Sequence, residues 1–510
     1  MNKEVLPDGW TSTTIDQILM PQSDGKIIHQ GWSPQCHKEP AEEGEWGVLK
    51  TTAIQDGYFL DAENKKLPGD KEPKPRIEVK EKDLLLTNAG PRARCGVSTL
   101  VRKTRSKLMI SGKMYRMRFD ERYIVPDLME SWLRTSRSQD ELNARKTGIS
   151  ESGLNMTQDR FKTLPVVIPP IAEQKQITAK LDELLAQVDT LKTRVDAIPF
   201  ILKRFRQSVL AAAVSGRLTK DWKETSKEYY ESLDSEIADH KKLRKLSDLS
   251  NDEINLAKTL HGEIDWSRWH LYPMEKLVDA DRGIPYGIVQ TGENTEGGVP
   301  TVRCGDVKPL SIDMSSLKQV RKEISDNYSR TLLKGGEVLL AIRGTVGNAA
   351  VAGEELHECN ISREVAMVPV RKNVSPIFVS LLLQSPGGYR CLAEKVRGVA
   401  QKGINLADVK RFVTPLPSIE EQIEIVRRVD QLFAFADQIE QRVKDAQSRV
   451  NHLTQSTLAK AFRGELTAEW REQNPELING ENSAEALLEK IKADREATKP
   501  VKRTRRRKIE

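Results

Sequence analysis

Residues 169–224 align without gaps onto residues 417–472 at a constant offset of 248, with 21 of 56 positions identical. A chain that contains itself twice must build two equivalent halves, so this repeat constrains the fold more than any local signal. Matched identities include Ile171/Ile419, Glu173/Glu421, Gln174/Gln422, Asp182/Asp430, Asp189/Asp437, Gln207/Gln455, Ser208/Ser456, Gly216/Gly464, Leu218/Leu466 and Trp222/Trp470. Both copies end in Gly-x-Leu-Thr-x-x-Trp-x-Glu. Fainter matches run upstream: residues 133–155 pair with 383–405 through Leu142/Leu392, Gly148/Gly398, Gly153/Gly403 and Asn155/Asn405, and Ile110-Ser111 matches Ile361-Ser362. Gly9-Trp10 and Arg268-Trp269 begin the two copies.

Within the repeat, apolar residues step by 4 and 3. The first seam is Ile177, Leu181, Leu184, Val188, Leu191, Val195, Ile198, Leu202, Phe205 and Val209. The second is Ile425, Val429, Leu432, Ala436, Ile439, Val443, Ala446, Val450, Leu453 and Thr457. A heptad seam sustained this long predicts a coiled-coil helix in each copy. Pro-x-Ile-x-Glu-Gln ahead of each seam places a proline and an acid in the first turn, where unpaired amides and the positive dipole end favour them. Gly216 and Gly464 are the expected stops. Each helix alone would expose a long apolar stripe, and the simplest cover is the other copy. Connectivity then requires the pair to run antiparallel. Residues 177–209 would span about 48 Å, or roughly 14 base pairs of B-DNA, an upper scale for anything the helices space apart. Pro199 inside the first helix predicts a kink. An ordinary helical hairpin with no spacer role explains the heptads alone equally well.

Residues 1–165 and 263–415 carry short Val/Ile/Leu runs separated by Gly, Pro, Asn and Asp, the pattern of mixed strands with a few helices. Two of these runs, at 83–87 and 337–343, lead into glycine-bearing loops at 88–96 and 343–348. Glycine lets backbone amides approach phosphate, while Arg and Asn offer paired donors to base edges. The candidate DNA-binding residues are therefore Thr87, Asn88, Gly90, Arg92, Arg94, Lys113 and Arg116 in the first domain. In the second they are Arg343, Gly344, Thr345, Gly347, Asn348 and Arg363. Gly90, Gly96, Gly344 and Gly347 could instead simply make hairpin turns. Residues 87–118 hold nine Lys or Arg and no acid, which suits an anionic partner. The second domain has no such excess, since two arginines face three glutamates between residues 338 and 363.

Composition supports a folded chain of several domains: 510 residues, 38% hydrophobic and 30% charged. The net charge of +7 is mostly the tail, because residues 499–510 hold seven basic residues and one acid. No run reaches the length of a membrane span and the N-terminus lacks a signal pattern, so a cytoplasmic protein is expected. The cysteines, Cys36, Cys95, Cys304, Cys359 and Cys391, lie far apart and predict reduced, buried thiols. His29, Cys36 and His37 are close in sequence, but they lack a fourth metal ligand, and no metal site is expected.

With duplicated variable domains each followed by Pro-x-Ile-x-Glu-Gln and a heptad helix, the chain resembles the specificity subunits of type I restriction-modification systems. Supporting motifs are Leu6-Pro-Asp-Gly-Trp10, Arg343-Gly-Thr-Val-Gly347 and Gly403-Ile-Asn405 ahead of Pro415-Leu-Pro417. The first loop, Gly90-Pro-Arg-Ala-Arg-Cys-Gly96, departs from the Arg-Gly-Thr-x-Gly form. The resemblance implies an α+β chain with two α/β target-recognition domains separated by two long antiparallel coiled-coil helices, in a pseudo-two-fold internal repeat. Its expected layout is a recognition domain at 1–165, a spacer helix at 166–224, a charged linker at 225–262, a second recognition domain at 263–415, a second spacer helix at 416–472 and a charged, flexible basic tail at 473–510. Each domain would read one half of a bipartite asymmetric DNA site. The helices would set the gap and dock two modification subunits that carry S-adenosylmethionine and methylate adenine. These would recruit two restriction subunits that use ATP and magnesium. The chain itself would hold no cofactor and catalyse nothing, in keeping with the lack of an Asn/Asp-Pro-Pro-aromatic clamp, a Walker loop or an H-E-x-x-H motif. The rivals are a coiled-coil tethering protein that binds other proteins, and a nuclease built from scattered carboxylates such as Glu78 beside Lys80.

Overall fold

A computed structural model describes residues 5–222, 227–261, 269–398 and 403–497. They fall into two compact units, one drawn from residues 1–196 and 445–510, the other from 197–444. The long helices Ile171–Val214 and Ile419–Phe462, 44 residues each, are divided between the units rather than forming a body of their own.

In the first unit, strand Thr11–Thr14 pairs antiparallel with Pro165–Ile168, joining the two ends of the domain. A four-stranded antiparallel sheet runs in the order Ile28–Gln30, Met114–Met117, Leu84–Thr87, Ser98–Leu100. A three-stranded sheet places Gly47–Leu49 between Asn64–Lys66 and, parallel to it, Leu108–Met109. Successive side chains of a strand face opposite ways. Leu84 and Leu86 accordingly enter one hydrophobic core and Leu85 another. A strand buried on both faces has no need of polar alternation, which is why the sequence shows an unbroken Leu-Leu-Leu run.

The second unit repeats the scheme. His270–Pro273 pairs with Val413–Leu416, and Val338–Ala341 lies between Ala349–Val351 and Val365–Val368. Val299–Val302 pairs parallel with Asn360–Ile361. Val338 and Leu340 face one core while Leu339 and Ala341 face the other.

Within each unit the two long helices run in opposite directions. In the first, Ile177 and Leu181 share a core with Leu458, Ala461 and Phe462, and Gln447 Nε2 donates to Asp196 Oδ1 at 2.9 Å. In the second, Val209 and Val214 pack with Ile425 and Val429, and Arg206 bridges Asp437 and Glu440. Of the expected seam, Val188, Ala436, Val443 and Val450 are buried, and Leu184, Val195, Leu432 and Ile439 are half-buried. Leu191 departs from the expectation at 44% exposure, as does Leu453 at 49%. A helix of 3.6 residues per turn drifts about 20° per heptad against a strict 3.5 repeat, which carries such positions to the edge of a seam. Pro199 sits inside a helix that continues unbroken to Val214. Gly216 and Gly464 end the helices in the left-handed region, at φ 73° and 75°.

The repeated Glu-Gln is a buried fastening point rather than only a dipole partner. Glu173 accepts from Trp10 Nε1 at 2.7 Å, Thr467 Oγ1 at 2.6 Å and Arg471. Glu421 accepts from Trp269 Nε1 at 3.2 Å and Thr219 Oγ1 at 2.6 Å. Gln174 Oε1 accepts from the amide of Val125, which caps helix Pro126–Leu133, and Gln422 Oε1 from that of Ser375, which caps Pro376–Gln384. One carboxylate thus ties the tryptophan at a domain's entry strand to the Gly-x-Leu-Thr segment.

The expected tail changes. The tail drawn from 473 contains helix Ala484–Ala497, whose Ala484, Leu487 and Ile491 are buried in the first unit's core, so the apolar spacing within it outweighs its charge. The basic stretch from 499 lies outside the described residues. The charged linker contains helices Lys227–Asp239 and Asn251–His261. Tyr230, Leu233 and Ile237 of the former are buried at the same 3,4 spacing as Ala484, Leu487 and Ile491, which extends the internal repeat beyond residues 224 and 472.

Candidate nucleic-acid interface

Both candidate loops follow the central, doubly buried strand of their unit, and the repeated Gly-x-Asn braces each from the side. Leu154–Asn155 pairs antiparallel with Ala89–Gly90, and the Met156 amide donates to Asn88 O at 2.8 Å. Gly403 pairs with Arg343, and the Ile404 amide donates to Ile342 O at 2.9 Å. The distant sequence match at Gly153/Gly403 and Asn155/Asn405 is thus the second strand of a loop platform.

In the first unit the structure takes most candidate side chains out of reach of a ligand. Arg116 is 2% exposed and spends its guanidinium on Glu78 O, Arg76 O at 3.0 Å and Gln22 Oε1 at 2.9 Å, beside Asp83. Burial pulls its pKa below the usual arginine value. Arg118 is likewise committed to Asp83. Arg94 turns inward to Thr51 O at 2.5 Å and Ile54 O at 2.7 Å. Thr87 is buried, its hydroxyl donating to Arg94 O, and Asn88 is buried as well. These four candidates are corrected to structural roles: the guanidinium of Arg94 satisfies the carbonyls of the distant segment at Thr51 and Ile54 rather than reaching outward. Arg92 and Lys113 remain exposed, Arg92 in a two-pronged pair with Glu151 at 2.6 and 2.8 Å. Gly90 is half-exposed, at φ 143°. Lys146, missed in the sequence, sits against this loop, donating to Arg92 O at 3.0 Å. His29, weighed as a metal ligand, holds Asp24 Oδ2 at 2.8 Å, and burial lowers its pKa.

In the second unit four of the six candidates stay outside, whereas Gly347 is buried and Asn348 half-buried. Arg343, Gly344, Thr345 and Arg363 are exposed. Gly344 and Gly347 adopt φ 70° and 95°, conformations that a side chain makes costly. Thr345 Oγ1 donates to Cys304 O at 2.6 Å and Asn348 Nδ2 to Val307 O at 3.0 Å, so these two polar groups shape the turn. Glu354 and Glu355 cancel the arginines only in the composition. They lie past strand Ala349–Val351, Glu354 beside Gly335, at the opposite end of the strand pair from Arg343. Sequence reasoning missed Arg397, which pairs with Gly403 next to Arg343 and is exposed. It also missed Tyr389, which is 51% exposed and stands against Gly347. Their signal is the upstream repeat at 383–405, within which both lie between the matched positions.

The helix that carries Tyr389, Pro386–Ala393, is buttressed by the linker helix Asn251–His261. Arg390 Nε donates to Leu260 O at 2.7 Å, and His261 fills the space beside Gly387. Arg411 clamps Glu253 of the same linker helix at 2.5 and 2.9 Å, and this donation holds the Glu253 carboxyl down at about 2.

Residues 289–446 match the type I restriction modification DNA specificity domain. The chain is 43% identical over 367 residues to the EcoBI type I restriction enzyme specificity subunit of Escherichia coli, covering 72% of this chain and 71% of that one. It is 35% identical over 393 residues to the EcoKI specificity subunit of Escherichia coli strain K12, covering 76% and 75%. In fold it is similar to a chain solved in a study of complex assembly and conformational transition of the type I R-M system, with TM-score 0.60 at 18% identity, over 90% of this chain and 99% of that one. The duplicated loop platform, the paired helices and these likenesses lead to one conclusion: the chain belongs to the family of type I restriction enzyme specificity subunits.

Proposed function

We propose that this chain selects the DNA sequence for a type I restriction-modification complex and has no catalytic activity of its own. Each unit reads one half of a bipartite asymmetric site, and the long helices set the gap and dock two modification subunits. Those subunits supply S-adenosylmethionine and adenine methylation, and they recruit two restriction subunits that bring ATP and magnesium. The complex works in the cytoplasm, where its DNA lies. The observation that carries this reading is the second unit's loop: two arginines, Arg343 and Arg397, held on either side of Gly403 and left exposed. Exposed guanidinium groups on a braced turn suit phosphate and guanine edges.

The test is methylated-adenine mapping across the genome in cells with and without this chain. A bipartite motif that appears only with the chain is the expected result. Deleting one heptad from each long helix should change the gap between the half-sites and keep both half-sequences. Methylation that does not depend on the chain would refute the reading, and an unaltered gap would remove the spacing role.

A further inference from the structure

The turn 344–348 and the exposed face of helix Pro386–Ala393 enclose a surface hollow of about 510 Å³. Its walls include Thr345, Val346, Tyr389, Leu392, Ala393 and Val396. The Tyr389 ring lies so close to the turn that a Cβ at Gly347 would stand 3.0 Å from it. The polar groups that could have faced into the hollow are spent on backbone. Thr345 Oγ1 is given to Cys304 O, Asn348 Nδ2 to Val307 O, and Gln384 Nε2 to Gly347 O at 2.7 Å. What faces inward is the Tyr389 ring and methyl surface alongside a comparable share of polar surface. Two arginines stand at the rim, because Arg343 precedes the turn and Arg397 follows Val396; both are exposed, Arg397 at 3.8 Å from Asp408 Oδ1. The hollow therefore suits an apolar knob carried on a polyanion. In the major groove that knob is the 5-methyl group of thymine, the one apolar feature the four base pairs present there.

We infer that Tyr389 is a specificity-determining residue, and that the half-site read by the second unit contains a thymine whose 5-methyl group packs against its ring. This rests on the DNA-reading function proposed above. The thymine contact adds apolar discrimination that the arginines, which donate hydrogen bonds, cannot give.

The experiment takes the full chain assembled with its modification subunits and duplexes of the mapped site, replacing each thymine in turn by uracil, which lacks only that methyl. Wild type and Tyr389→Phe should lose affinity roughly fourfold at one position, the effect of one buried methyl, within the half-site that Arg343→Ala weakens. Tyr389→Ala should bind the thymine and uracil duplexes equally. Ala393→Leu, on the exposed helix face, should narrow the hollow and weaken binding to the thymine duplex more than to the uracil one. Tyr389→Ala discriminating like wild type would overturn the inference. So would uracil having no effect anywhere in that half, or acting only in the other half. A wild-type complex that cannot tell the mapped site from a scrambled duplex would instead sink the underlying function.

Discussion

The two recognition loops occupy equivalent places and use their charges in opposite ways. The first lies in a stretch of nine basic residues without an acid, yet Arg94, Arg116 and Arg118 of that stretch are turned onto backbone carbonyls and Asp83. The second lies in a nearly balanced stretch and keeps Arg343 and Arg363 outside, with Glu354 and Glu355 at the far end of the strand pair. An arginine can serve as internal scaffolding as readily as ligand contact, because its five donors satisfy several carbonyls at once. Local charge counts therefore measure how much guanidinium a domain owns, and folding decides where it points.

This contrast can be broken by substitution. Arg116→Leu strips partners from Glu78 O and Arg76 O in the interior and should destabilise the first unit by roughly 3–5 kcal/mol. Amide exchange should quicken in Leu84–Thr87 while Val338–Ala341 stays protected; normal protection with weakened DNA binding would return Arg116 to the interface. Arg343→Ala should leave thermal stability alone and weaken binding about ten- to a hundredfold through one half-site, the worth of a well-made base contact, as measured with duplexes scrambled in either half. The brace between Glu253 and Arg411 should respond only to acid. The Glu253 pKa is depressed, so its contribution is complete above the ordinary carboxylate range near 4.5 and is lost as pH falls toward about 2. Hydrogen exchange in Asn251–His261 should be flat, after correction for intrinsic rates, from pH 8 to 5 and rise below that. Smallest of all, Arg92→Ala should leave the melting temperature unmoved, because its pair with Glu151 is exposed to solvent. Any DNA effect of this variant would mark Arg92 as the first unit's free contact.

Architecture was legible in the sequence because it is written in spacing. The constant offset, the heptads, the glycine stops and the strand-to-loop runs all survive as elements, since periodicity determines which face of an element is buried. Side-chain destinations were not legible. Glu173 and Glu421 read as first-turn acids, and nothing local reveals that each collects an indole, a hydroxyl and, for Glu173, a guanidinium. Helix Ala484–Ala497 was hidden because its buried positions, Ala484, Leu487 and Ile491, are sparse among charges. Tyr389 was hidden because it falls between the matched positions of the upstream repeat, opposite Gln139 of the first copy.

The fastening of Trp10 and Thr467 onto Glu173 also orders events in time. The second unit is one continuous stretch and can complete itself while synthesis is under way, whereas the first unit needs a carboxy-terminal segment made hundreds of residues after its opening strand. Its amino-terminal part must wait on the ribosome with apolar surface uncovered, as slow, long-range closure requires. A prematurely ended product would therefore carry one finished unit and one left open.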